Sequence, residues 1–212
     1  MTKPYKVFGI GFNRTGTSSL KLALRRLGYN VLTRNGPFVK RYGNEQAKWI
    51  LNHIDDWDGF QDWPWPMLYP ELLDHFGDEA RFILTRRSSP EKWVSSLKTH
   101  SERTNPVNHQ RRIMLGYDYP HGLEAEHIAL YEAHLKQVRM HFKAAGKDHL
   151  LIELCWEEGD GWPELCGFLN EPLPEKAFPR ANRSVDADRD PDYVAGNIAN
   201  IETQLRRLGI NP

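Results

Sequence analysis

Residues 5–28 read YKVFGIGFNRTGTSSLKLALRRLG: an apolar run, a glycine-bounded loop and a leucine-rich run in direct succession. Tyr5, Val7, Phe8 and Ile10 make a stretch of strand length that stops at a glycine. Leu20, Leu22, Ala23, Leu24 and Leu27 predict a helix, with Gly28 placed just beyond its end to take a left-handed conformation. Thr17 or Ser18 is the expected N-cap. From Gly11 the spacing is Gly-x4-Gly-Thr-Ser. That is a phosphate loop in which Thr17 replaces the lysine that nucleoside-triphosphate enzymes extend to the β- and γ-phosphates. The backbone cradle works without the lysine, because N–H groups at a helix N-terminus favour an anion by themselves. A loop of this kind suits a nucleotide without a triphosphate tail. Arg14 adds a planar fork of donors fitted to phosphate or sulfate oxygens, and Thr15, Thr17, Ser18 and Ser19 add hydroxyls.

Residues 81–97, RFILTRRSSPEKWVSSL, repeat the logic. Phe82, Ile83 and Leu84 predict a buried strand that ends in Arg86 and Arg87. Ser88 or Ser89 is placed to cap a helix with Pro90 at its first position and Glu91 in its first turn. Two cations at a strand end facing a helix N-terminus make a second anion pocket. Two such pockets on parallel strands predict a bisphosphorylated nucleotide. Further on, the periodicity predicts a helix over residues 124–145, a strand over 149–155, a helix over 161–169, an extended basic loop over 178–184 and a last helix over 191–208. Strands alternating with crossover helices predict an α/β protein, a three-layer fold of phosphate-loop type with a central parallel sheet flanked by helices. Both anion motifs then lie at strand carboxyl ends, where such sheets bind ligands.

The composition bounds the partners. With 212 residues, the chain is expected to form a single domain over 1–212. Its 28 basic and 28 acidic residues balance, so neither a nucleic-acid surface nor membrane insertion is expected. The locally basic stretch from Lys98 to Arg112 reads as a solvated loop. Cys155 and Cys166 lack Cys-x2-Cys spacing, no apolar leader is seen, and no run approaches membrane-spanning length, so a cytoplasmic protein is expected. The nine histidines show no metal-binding spacing, and no metal is expected.

The stretch 12–19, FNRTGTSS, resembles the phosphosulfate loop of sulfotransferases. It is most similar to a sulfotransferase-like group that reads Pro-Arg-Thr-Gly-Thr-x-Ser-Leu, with Asn13 standing where that group has proline. The resemblance implies binding of 3′-phosphoadenosine 5′-phosphosulfate (PAPS), metal-free transfer, and adenosine 3′,5′-bisphosphate as product. It implies that Arg14 occupies the family's catalytic cation position and that Thr15, Gly16, Thr17, Ser18 and Ser19 hold the 5′-phosphosulfate. It further implies that Arg87 and Ser95, eight residues apart, hold the 3′-phosphate, with Arg86 the lesser choice. By region, Arg183 or Arg180 would close over the same phosphate.

Between the two motifs, Asp62 precedes a Trp63-Pro64-Trp65-Pro66 run crowded with aromatics and acids. Such a stiff aromatic segment suits an acceptor pocket, and Asp62 is the first choice of general base, as the group's Asp-x-Pro segment also implies. His134, in the helix over 124–145, is the second choice. The expected reaction is sulfuryl transfer to a hydroxyl or amine of a small-molecule or carbohydrate acceptor. The alternatives are a phosphate-loop nucleotide kinase, and a non-catalytic nucleotide-binding module of the same fold.

Overall fold

The computed structural model of the protein describes residues 3–106, 110–181 and 190–211. Its contacts divide into two compact units, Met1–Ser88 with Leu135–Arg183, and Ser89–His134 with Ser184–Pro212. In chain order the strands are β1 (Lys6–Gly9), β2 (Val31–Leu32), β3 (Gly59–Phe60), β4 (Ala80–Thr85) and β5 (Leu151–Leu154). The α-helices are α1 (Thr17–Arg26), α2 (Gly36–Gly43), α3 (Ala47–Leu51), α4 (Tyr69–Phe76), α5 (Pro90–Ser101), α6 (Gln110–Leu115), α7 (Glu124–Ala144), α8 (Trp162–Leu169) and α9 (Pro191–Arg207).

The first unit contains an all-parallel sheet in the order β2-β3-β1-β4-β5, as the alternation of strands and helices predicts. Register is set by pairs such as Phe8 with Phe60 and with Phe82, and Thr85 with Leu154. Two strands, β2 and β3, escape the sequence reading because each is two residues long and has no period to detect. Side chains alternate across the sheet. On one face Val7, Ile83 and Leu154 pack with Leu20 and Leu24 of α1 and with Leu165 and Leu169 of α8. On the other, Phe8 stacks on Phe60 at 4.6 Å and lies 5.6 Å from Phe82, which meets Phe142 of α7 edge-on at 4.8 Å. The chain runs from β1 outward to β2 and β3, then crosses to the opposite side of β1 to form β4. The strand order therefore reverses between β1 and β4, and their carboxyl ends flank the crevice where open parallel sheets bind ligands.

The second unit holds α5, α6, the first half of α7, and α9. As the sequence predicts, α5 is capped by the Ser89 side chain, which accepts from Lys92 N, and has Pro90 at its first position. Trp93 stacks on Tyr131 at 4.6 Å. Asn197 is fully buried, accepts from the Tyr119 hydroxyl at 2.7 Å and donates to the carbonyls of Thr104 and Tyr193. The stretch from Lys98 to Arg112 is not the solvated loop expected. Lys98, in the last turn of α5, forms an ion pair with Glu124, and Arg111 of α6 is buried against the Tyr119 ring, 4.4 Å from its centroid. A basic residue is covered here because an aromatic face and the Ser101 carbonyl receive its guanidinium. No helix among the described residues is long and apolar enough to cross a membrane.

Phe82 has no exposed surface and touches both Phe8 and Phe142. Phe82→Ala is expected to cost about 3–5 kcal/mol of folding stability, read from urea denaturation midpoints.

Candidate active site

The loop after β1 is built by close approach. Ile10 N donates to Ile83 O at 2.9 Å, extending the ladder past the strand, and Gly11 then passes so near β4 that a Cβ would lie 2.2 Å from Thr85 O. The Thr15 hydroxyl donates to Phe12 O at 2.6 Å and lies 2.7 Å from Thr85 Oγ1, so this side chain folds the loop inward. Gly16, at φ 96°, is the N-cap of α1. The expectation of Thr17 or Ser18 in that role is corrected. The left-handed turn that curls the loop over the helix start requires a glycine, so the hydroxyl residues fall inside the first turn. That first turn contains no acidic residue, while Arg25 and Arg26 lie in the last turn. The positive end of the dipole is thus left uncancelled by any carboxylate of its own turn. Gly28, at φ 86°, ends α1 as the sequence predicts.

Trp156 lies across the same glycine. Its Nε1 donates to Gly16 O at 3.3 Å, and a Cβ at Gly16 would meet its ring at 2.2 Å. The next two residues reach the other motif. Glu158 forms a fork-to-fork pair with Arg86, whose Nε also binds Glu153 at 2.7 Å. These carboxylates hold Arg86 firmly in its charged form. Glu157 takes Arg87 Nη2 at 3.0 Å, Ser88 N at 2.9 Å and Ser88 Oγ at 2.8 Å. The donors at the end of β4 thus converge on one carboxylate, as they would on a phosphate. Ser95 is exposed on α5, in the second unit. Ser19 Oγ accepts from Ala181 N at 3.0 Å, tying the segment after α8 to α1. Arg180 is exposed beside it, and Arg183 lies outside the described residues.

Asp62 lies just after β3, with φ 69°, and its Oδ1 accepts from Trp63 N at 2.9 Å. Burial raises its pKa, against the lowering influence of the Trp63 N–H and of the Arg34, Lys21 and Arg14 charges. The two residues chosen from sequence as acid–base and cationic candidates, 48 positions apart, are therefore close enough for their charges to interact. Both adopt left-handed backbone conformations, Arg14 at φ 68°, which L-residues hold only when their surroundings enforce it. For Asp62 the enforcing contact is visible: Trp63 packs on Phe12 of the loop at 5.2 Å. Trp65 is wholly buried against Phe8 and Phe60, so it is core and not a pocket wall. His134 is buried in α7 and belongs to the second unit.

Residues 6–187 match the family model described as a sulfotransferase domain. The chain belongs to the sulfotransferase family. It is similar to the Ava biosynthesis cluster protein M of Aspergillus versicolor, with 28% identity over 214 residues, covering 82% of this chain and 79% of the relative. The fold is that of a crystallised sulfotransferase from Alicyclobacillus acidocaldarius, at a TM-score of 0.52 and 14% identity over 97% of both chains.

Several residues around this candidate site carry no motif. Trp156, Glu157 and Glu158 follow directly on the strand predicted over 149–155, and neither they nor Lys21 and Arg34 match a motif. Their only signal is three-dimensional, because about 70 to 140 residues separate each contact of the Trp156–Glu158 turn from its partner. Among the described residues, no group of three or more His, Cys, Asp or Glu side chains is arranged to hold a metal ion.

Two outcomes are expected. Gly16→Ala costs about 1–3 kcal/mol through its backbone alone, plus the clash with Trp156. Adding Trp156→Ala relieves only the clash, a difference that a double-mutant cycle of denaturation free energies reads directly. Asp62→Asn stabilises the protein at neutral pH. A carboxyl whose pKa is raised on folding from 3.8 binds its proton more tightly in the native state. Wild-type stability therefore falls as pH rises from that value through the native one, and the uncharged variant escapes the loss. The stability gap between the two proteins is expected to vanish at about pH 3 and to widen as pH rises toward the native pKa.

Proposed function

We propose that the protein transfers a sulfuryl group from PAPS to a hydroxyl or amine of a small-molecule acceptor. The observation that carries this reading is the pair of anion-receiving corners at the ends of β1 and β4, neighbours at the point of strand-order reversal. One is a lysine-free helix N-terminus; the other already grips a carboxylate with Arg87 and Ser88. Two such corners on neighbouring strands suit the two phosphate ends of adenosine 3′,5′-bisphosphate.

The chemistry assigned to the residues is in-line displacement. The acceptor oxygen forms a bond to sulfur while the bond from sulfur to the 5′-phosphate oxygen breaks, and the electron pair leaves on adenosine 3′,5′-bisphosphate. Asp62 receives the acceptor proton. Its pKa, raised by burial, moves it toward the range a base needs near neutral pH. Arg14 and the backbone N–H groups of residues 16–18 stabilise charge developing on the bridging oxygen. The Thr15 hydroxyl already donates to Phe12 O, so Thr15 serves mainly by holding the loop's shape. The name of the Aspergillus relative refers to a biosynthesis cluster, which suits a small-molecule acceptor.

Calorimetry with PAPS, adenosine 3′,5′-bisphosphate and ATP tests the donor. Binding of the first two without magnesium is expected, and preference for magnesium-ATP would overturn the reading in favour of a kinase. With a panel of phenolic, alcohol and sugar acceptors, Arg14→Ala is expected to lower kcat by about 10²–10³ with little loss of bisphosphate affinity. Arg87→Ala, by contrast, weakens bisphosphate binding about tenfold or more. Absence of transfer to any acceptor, with bisphosphate binding intact, would leave only a binding module.

A further inference from the structure

We propose that Glu157 is an internal competitor in the donor site: its carboxylate fills the Arg87–Ser88 corner as a resident anion that a nucleotide 3′-phosphate displaces. The inference rests on the assignment of a PAPS-type donor.

Three donors from two consecutive residues, Arg87 Nη2, Ser88 N and Ser88 Oγ, close on the two Glu157 oxygens at 3.0, 2.9 and 2.8 Å. The charged fork, the amide and the hydroxyl form a set that receives phosphate oxygens equally well, and both anions cannot occupy it at once. The Glu157 side chain keeps 29% of its surface exposed, so a path into water is open to it. The backbone beneath it is pinned. Cys155 N donates to Asp160 Oδ2 at 2.6 Å, Trp156 is bound to Gly16 O, and Glu158 is held by Arg86. Exchange is therefore assigned to a rotation of the side chain over a fixed backbone.

The exchange selects by charge. A singly charged anion with two oxygens offers the corner no more than Glu157 does, and it must still displace a group already tethered there. A phosphomonoester at neutral pH carries close to two charges and a third acceptor oxygen. Glu157 thus keeps the corner closed to weak anions, at the expense of part of the affinity for a nucleotide that bears a 3′-phosphate.

The test compares dissociation constants of adenosine 3′,5′-bisphosphate and adenosine 5′-monophosphate for the wild type, Glu157→Gln and Glu158→Gln, with thermal denaturation as a check on folding. Glu157→Gln is expected to tighten the bisphosphate about tenfold and to leave the monophosphate within about twofold. Glu158→Gln, which removes one of the two carboxylates on Arg86, moves the ratio less than about twofold. Wild-type binding of neither nucleotide overturns the donor assignment and this inference with it. Bisphosphate binding whose ratio to the monophosphate is unchanged or lowered by Glu157→Gln overturns this inference alone, as does an equal gain from Glu158→Gln.

Discussion

The contact on which the site depends is the one between the loop after β1 and Thr85 at the end of β4. A single missing Cβ, at Gly11, lets the loop lie directly on the Thr85 backbone, and the hydroxyls of Thr15 and Thr85 meet at 2.7 Å to hold it there. Both threonines are buried, at 1% and 0% exposure, so Thr85 finds in Thr15 a polar partner that water does not supply. The consequence is directional. The loop cannot drift from the sheet, and the first N–H groups of α1 are aimed at the crevice between β1 and β4. Parallel strands bring their ends together at one edge, but only this close approach turns two strand ends into one site.

A second brace comes from the turn after β5. Three successive residues reach three parts of the site: Trp156 covers Gly16, Glu157 receives Arg87 and Ser88, and Glu158 receives Arg86. The turn therefore couples the glycine loop to the arginine motif through β5, the outer neighbour of β4. It also divides labour between adjacent arginines. Arg86 is held by two carboxylates, Glu153 and Glu158, and so serves the architecture. Arg87 shares the Glu157 carboxylate with Ser88, which leaves that corner the more exchangeable of the two.

The left-handed conformations of Arg14 and Asp62 have a common origin. An L-residue adopts such a backbone only where packing compels it, and both occur where the chain turns from a strand end into the crevice. Phe12 and Trp63, close in sequence to these two residues, pack on one another across the β1 and β3 loops. Burial of the Asp62 carboxylate, against three nearby cations, results from that packing.

The long periodic elements and the two anion motifs are legible in the order of residues alone. Local chemistry suffices there: Gly28 and Pro90 mark helix ends, Leu20, Leu24, Phe82 and Leu84 mark faces, and the glycine spacing marks a cradle whatever lies around it. The two-residue strands β2 and β3 are illegible, because pairing with neighbours, and not any pattern of their own, makes them strands. The N-cap at Gly16 and the covered arginine at Arg111 depart from expectation for a similar reason: a left-handed turn beneath Trp156 and an aromatic face from Tyr119 outweigh the usual preferences of the residues concerned. That Trp156, Glu157 and Glu158 serve the site, and that Asp62 feels Arg14, was settled by folding in three dimensions. Those relations join residues tens of positions apart, and no local preference encodes a contact that exists only once the strands have taken their places in the sheet.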